Sequence, residues 1–213
     1  MEKERSTSVK TLTDSHTLYQ TLQQHNLLTH RPEWWWPNAG TFEVVIGAVL
    51  TQNTTWKNVE KSLASLQGHT TLETFLELDE AELKERIRPS GFYNQKAPRL
   101  QTMAKNITSE FGTFETFQKE VSRSWLLKQK GIGEETADSI LNYGCFRAEM
   151  VVDTYTKRLL ATYGIILKNY GAYKAYLQEG LQNHYPKEEL ALHYARFHGM
   201  IVEYNKRNLM RQG

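Results

Sequence analysis

The sequence predicts an all-α protein. Apolar residues recur three or four positions apart in one segment after another, short breaks of Gly, Pro or Asn separate these segments, and no strand-length alternation of apolar and polar residues stands between the turns. At 213 residues with 39% hydrophobic content, the chain can bury a substantial core. No internal repeat or low-complexity linker interrupts it.

Residues 1 to about 15 are polar, rich in Ser, Thr and Lys, and are expected to fray. Helical spacing begins near Asp14, where Leu18, Leu22 and Leu27-Leu28 share a face until His30-Arg31-Pro32 ends the pattern. Phe42 to Leu50 is almost continuously apolar, with Glu43 as its only charge. Its β-branched residues would suit a strand, but Val59, Leu63 and Leu66 follow at helical intervals, so we read a buried helix, a polar turn and a surface helix. Further helices are expected over 72–78, 80–87, 96–111, 114–127, 134–142, 154–163, 170–182 and 188–204. Gly68, Pro89-Ser90-Gly91, Gly112, Gly131/Gly133, Gly144, Gly164 and Pro186 supply the breaks.

A single cysteine, Cys145, excludes an intramolecular disulfide and any four-cysteine metal or iron–sulfur site, and reads as a small buried apolar residue. No apolar run approaches bilayer length and no signal-peptide core opens the chain, so a soluble cytoplasmic protein is expected. The net charge of +2 does not by itself mark a nucleic-acid binder. Its distribution says more: Lys84, Arg86, Arg88, Lys96, Arg99 and Lys105 stand against Glu85 alone, just after an acidic stretch from Glu73 to Glu82. Such runs are usually solvated helix faces, but alternating blocks would leave one face positive enough to follow phosphates.

Three features carry chemistry. In the first, Leu126 to Leu141 reads as helix, Gly131-Ile132-Gly133 hairpin, helix. Glycines there let main-chain amides approach an anion, and the next helix offers its positive N-terminus, though most short turns of this kind only cap helices. Glu134 and Glu135 complement the helix dipole and exclude amine chemistry at that position. Second, Asp153 stands before Thr154 as a natural N-cap. Third, Trp34-Trp35-Trp36-Pro37 places three tryptophans together that cannot all face one core. They either pack irregularly in a loop or form a stacking wall for a flipped base, with Trp56 as the opposite wall.

The run from Leu126 to Leu141 and on to Val152-Asp153-Thr154, twenty residues after Gly133, resembles the helix-hairpin-helix signature of the DNA glycosylase superfamily that includes endonuclease III. Members that also cut the backbone carry a lysine two residues after the second hairpin glycine, where this chain has Glu135. A carboxylate cannot form the Schiff base that such cutting needs. The Trp-Trp-Pro run, Leu50-Thr51-Gln52-Asn53-Thr54, the lysine-free hairpin and the lack of a cysteine cluster are similar to the bacterial type III 3-methyladenine DNA glycosylases, over nearly all residues from about 30 to 205.

This resemblance implies a helix-hairpin-helix glycosylase fold of two helical lobes, 36–145 and 15–35 with 146–213, with the active-site cleft between them. It implies a monomer acting on double-stranded DNA, hydrolysing the N-glycosidic bond of alkylated purines, chiefly 3-methyladenine, without strand cleavage. No cofactor or iron–sulfur cluster is required, and a monovalent cation at the hairpin carbonyls is compatible with it. By the same resemblance Asp153 stands at the sugar, Trp35 or Trp36 and Trp56 sandwich the base, Pro37 lines its edge, and Gly131 and Gly133 meet a phosphate. Gln52 or Asn53, together with Phe92, either fills the gap left in the duplex or is an ordinary turn residue. Lys206 approaches the pocket, where a free ammonium beside a cationic base is unfavourable, so it should be displaced, paired or covalently neutralised. Two alternatives stay open: a monofunctional glycosylase for a mismatched or oxidised base, and a non-catalytic helix-hairpin-helix DNA-binding protein.

Overall fold

The computed structural model describes Leu12 and residues 14–212, with residues 208–212 described by their backbone alone; nearly all of the segment expected to fray lies outside the described residues. Among the described residues there are twelve α-helices and no strand. They are α1 Ser15–Gln23, α2 Phe42–Leu50, α3 Trp56–Ser65, α4 Leu72–Leu76, α5 Glu80–Ile87, α6 Tyr93–Phe111, α7 Phe114–Glu120, α8 Arg123–Lys128, α9 Glu134–Ser139, α10 Thr154–Thr162, α11 Tyr170–Gln182 and α12 Leu190–Gln212. A 3-10 turn, Arg88–Ser90, precedes α6, and a π-helical turn, Ile140–Gly144, extends α9. None of the described helices is long and apolar enough to cross a membrane.

Many of these helices begin where a short polar side chain can satisfy an orphan amide. Asp14, Thr71, Asp79, Thr113, Ser122, Asp153 and Asn169 each accept the backbone N–H three residues on. One such cap breaks an expected helix. The segment 114–127 is not continuous: Val121 is extended (φ −56°, ψ 133°), and Ser122 accepts from the Trp125 amide at 3.1 Å to start α8 afresh. Helix α6 starts earlier than expected, at Tyr93, with Pro98 tolerated inside it, and α12 runs past the expected end at Tyr204.

The chain forms two compact units, residues 36–149 and residues up to 35 joined by residues from 150 onward. Within residues 36–149, α2 is the central element. Phe42, Val44, Val45, Ile46, Ala48, Val49 and Leu50 are all buried, which explains an apolar run with no polar face. Each such side chain contributes roughly 1.5–3 kcal/mol when fully buried. Phe42 meets Phe75 and Phe114 edge-on and Phe114 stacks on Phe117, so α4 and α7 are held to the same core.

The first half of the basic stretch is a solvated, ion-paired helix face. Lys84, Arg86 and Arg88 pair with Glu80, Glu82 and Glu85 one turn away, and Lys96 is buried. Neighbouring acidic and basic blocks neutralise each other along α5, because residues three and four apart share a helix face.

In the other unit, α1 packs on α11 and α12, and α10 on α12. Leu18, Tyr19 and Leu22 of α1 are buried, as are Leu177 and Leu181 of α11 and Tyr194, Phe197 and Ile201 of α12. Tyr19 donates to or accepts from Nδ1 of His193 at 2.8 Å.

Candidate active site

Asp153 opens α10 with extended backbone (φ −109°, ψ −173°). Its Oδ1 accepts from the Thr156 amide at 2.7 Å and the Thr156 hydroxyl at 2.9 Å. The other oxygen, Oδ2, stands 3.4 Å from Nε2 of His198 on α12, a ring only 4% exposed. Burial pushes the Asp153 carboxyl up, but the His198 imidazole and the Thr156 bonds outweigh it, and the net shift is below the ordinary carboxylate value. The group is therefore an ionised, immobilised carboxylate at neutral pH. The cap and the candidate catalytic group are the same residue, one oxygen serving each role.

Trp35 builds the surface next to it. Its ring meets His198 edge-on, with centroids 5.3 Å apart. A Cβ at position 199 would fall 2.5 Å from Trp35 Cγ and 2.8 Å from its Cβ, so only glycine lets the indole lie against α12 there. One turn on, Glu203 accepts from Trp35 Nε1 at 3.2 Å and from Arg31 Nη2 at 3.0 Å. Lys206 Nζ lies 3.6 Å from the same carboxylate, so of the three states anticipated for its ammonium the structure contains the paired one. Residues 199, 203 and 206 follow a spacing of four and three, which puts the glycine, the acid and the lysine on one face of α12. The sequence reading missed Arg31, His198, Gly199 and Glu203. The signal available was that face: a glycine and two charges at a spacing of four and three along α12.

The remaining candidates lie in residues 36–149. Trp36 is an interior ring, 7% exposed, set on Gly47 and against Tyr143 at 5.1 Å. Trp56 meets it at 5.3 Å with an interplanar angle of 81°, and its own Nε1 donates to Glu60 at 2.9 Å. Two rings in perpendicular contact leave no slot for a base between them, so of the two pairings expected with Trp56 the one with Trp36 is not formed in this structure. Pro37 is exposed. Gln52 is tied down, its amide donating to Gly131 O and Thr136 Oγ1, both at 3.0 Å. Asn53 and Phe92 are exposed and left-handed, at φ 55° and 49°, and Phe92 keeps 59% of its surface in solvent.

At the hairpin, Gly131 adopts φ 83° and Gly133 precedes α9 with open space where a Cβ would stand. The Arg99 side chain lies against Gly131. Arg123 braces the two helices, donating from Nε to the fully buried Asp138 at 2.7 Å and from Nη2 to Glu134 at 3.3 Å. Glu135 is exposed in the first turn of α9. Gly131 O already accepts the Gln52 amide, so that bond engages one carbonyl of any cation site at the hairpin. Among the described residues no cluster of three His, Cys, Asp or Glu could hold a metal ion. Burial pushes the Cys145 thiol up to about 12, which makes it inert packing.

Residues 46–183 match the model of the HhH-GPD superfamily of base excision DNA repair proteins. A Methanocaldococcus jannaschii protein named among DNA repair glycosylases is 43% identical over 180 residues, covering 81% of this chain and 80% of that one. The structure of the Helicobacter pylori 3-methyladenine DNA glycosylase MagIII, bound to 1,N6-ethenoadenine, superposes with a TM-score of 0.86 at 42% identity, over 92% of this chain and 98% of that one. A trapped endonuclease III–DNA covalent intermediate, at 21% identity and a TM-score of 0.65 over 87% of this chain and 85% of that one, shares the fold. An all-helical chain with a hairpin between α8 and α9 and a capping aspartate after it thus belongs to the HhH-GPD superfamily, as a base excision DNA repair glycosylase.

Proposed function

We propose that this glycosylase hydrolyses the N-glycosidic bond of alkylated purines in double-stranded DNA, 3-methyladenine first among them, as a monomer and without cutting the strand. One observation carries the reading: an ionised carboxylate, Asp153, is held by His198 and Thr156 beside the Trp35 surface, while Glu135 stands where a lyase needs an amine.

As the base leaves, the sugar gains oxocarbenium character, and a fixed carboxylate stabilises that charge more than it stabilises the intact nucleotide. Oδ2 is the oxygen not committed to the cap, so it faces the sugar or orients the attacking water. A methylated purine is already a cationic leaving group and needs no protonation, which suits a site whose candidate catalytic carboxyl is held ionised. Stacking on Trp35 contributes on the order of 1–3 kcal/mol per base, and a cationic base gains further from the face of an indole. Glu203 pairs with both Lys206 and Arg31 and so weakens the repulsion that these two cations would exert on a cationic base. The hairpin at Gly131 and Gly133, with open space at Gly133 and the Arg99 side chain against Gly131, receives a backbone phosphate. Asn53 and Phe92 fill the space that the flipped nucleotide leaves, since Gln52 is bonded to the hairpin. The ethenoadenine bound by MagIII, itself an alkylated purine, supports the substrate class.

The test is to incubate the protein with methylated DNA and separate the released bases by chromatography, with borohydride added to a parallel reaction. Free 3-methyladenine and no trapped adduct is the expected result. Release of uracil or 8-oxoguanine from defined duplexes with 3-methyladenine ignored, or a borohydride-trapped protein–DNA adduct, would overturn it.

A further inference from the structure

Lys96 is a lysine in the wrong place for a lysine. It lies in the second turn of α6, 2% exposed, in the interior of residues 36–149. No carboxylate pairs with it among the described residues. Its Nζ donates instead to two main-chain carbonyls, Leu50 O and Ser90 O, each at 2.8 Å. Burying an ammonium costs far more than burying a methionine of the same length, so packing alone does not explain the residue.

The positions of the two carbonyls do explain it. Leu50 is the last residue of α2 and immediately precedes the turn that carries Gln52 and Asn53. Ser90 ends the 3-10 turn and stands two residues before Phe92. A helix end leaves carbonyls without intrahelical partners, and a cation is the strongest partner they can find. Phe92 also needs restraint. A bulky, 59% exposed side chain at φ 49° is strained, and such a conformation persists only where neighbours impose it. Lys96 supplies two of the constraints. Its backbone N–H donates to Phe92 O at 2.9 Å while its ammonium holds Ser90 O on the other side.

We propose that Lys96 is a positioning residue for base flipping: its ammonium clamps the turn bearing Asn53 to the turn bearing Phe92, presenting both as one preformed wedge to the duplex. This inference rests on the reading of those two residues as the ones that fill the gap in the helix. The wedge is set before DNA arrives, so the ordering of two loops is not charged against binding.

The test compares wild type, Lys96→Met, Lys96→Gln, Phe92→Ala and the double variant Lys96→Met/Phe92→Ala, all checked for fold by circular dichroism. Two quantities are read: the single-turnover rate of base release from an alkylated duplex, and the fluorescence of a 2-aminopurine placed beside the lesion, which brightens as the stack opens and does not depend on chemistry. Lys96→Met should slow release by on the order of ten- to a hundredfold and dim the fluorescence, as expected of a misplaced contact. Lys96→Gln, whose amide can still donate to carbonyls, should recover part of both. The double variant should be no slower than its slower parent.

A folded Lys96→Met that flips and excises like wild type while Phe92→Ala is impaired would sink the clamp alone. Multiplying effects in the double variant would do the same. Phe92→Ala at the wild-type rate and brightness would remove the gap-filling reading and the clamp with it. If neither Lys96→Met nor Lys96→Gln folds, Lys96 is a core residue and the proposal is overturned.

Discussion

Oδ2 of Asp153 stands 3.4 Å from Nε2 of His198, while Oδ1 of the same carboxylate closes the first turn of α10 through Thr156. His198 thus sets both the direction and the acidity of the group proposed to meet the sugar. Replacing it with glutamine removes the strongest influence that lowers the Asp153 pKa and leaves burial to raise it. A depressed carboxyl is active above its pKa and loses activity as the pH falls through it. The acid limb of the pH profile for single-turnover base release should therefore move to higher pH in His198→Gln. An unmoved limb would show that His198 only fills space.

Gly199→Ala tests how Trp35 is seated. Alanine normally stabilises an exposed helical position relative to glycine by about 0.5–1 kcal/mol. Here the added methyl meets Trp35 Cβ and Cγ at 2.8 and 2.5 Å, atoms next to the backbone that cannot swing away. Overpacking of this kind costs about 1–3 kcal/mol, so the melting temperature should fall and base release with it. A rise in melting temperature would contradict the close seating of the indole.

Glu203→Gln removes the one negative charge shared by Arg31, Lys206 and the Trp35 indole N–H. Two cations are then left beside the Trp35 surface proposed to bind the base. Release of a cationic base such as 3-methyladenine should suffer more than release of a neutral alkylated base such as 1,N6-ethenoadenine, by roughly tenfold per 1.4 kcal/mol of added repulsion. Equal losses on both substrates would mean that Glu203 serves Trp35 geometry alone.

Buried Lys96 has a signature in stability. Burial lowers its pKa from 10.5 to about 8, so between those values the unfolded chain holds a proton that the folded one has released. Stability then rises with pH across that window. Buried Tyr19 and half-buried Tyr163, Tyr176 and Tyr185 act oppositely, since raised phenol pKa values favour the folded state below pH 10 and lose that contribution above it. The difference between wild type and Lys96→Met in urea melts at successive pH values isolates the lysine. It should grow in favour of wild type from about pH 8 to about 10.5, and a flat difference would contradict the burial of the charge.

Much of this was legible in the sequence. The caps at Asp14, Asp79, Asp153 and Asn169 are local chemistry, so helix starts could be read from one residue and its third neighbour. The hairpin was legible as a Gly-x-Gly turn between two helices, and Asp153 as a cap, while the role expected of Asp153 came from the resemblance to the helix-hairpin-helix glycosylases. What escaped depends on contacts between distant segments. Ser122 sits in an apolar pattern that runs on through 114–127, and only its capping bond reveals the break. His198 and Glu203 are polar residues scattered along a 23-residue helix, meaningless until Asp153 and Trp35 reach them. Three contiguous tryptophans said that they could not share a core, but not that Trp36 is the one to be buried. The basic run from Lys84 left two readings open, and for Lys84, Arg86 and Arg88 the acidic partners one helical turn away favour the solvated face.

The central claim is that Asp153 performs the chemistry on an alkylated purine. Asp153→Asn keeps a side-chain acceptor for the α10 cap and removes the charge, so the variant should fold, bind alkylated duplex as tightly as wild type, and release 3-methyladenine under single-turnover conditions at a rate lower by a hundredfold or more, on the order seen when a charge-stabilising group is lost. Release by Asp153→Asn within a fewfold of wild type would contradict the account.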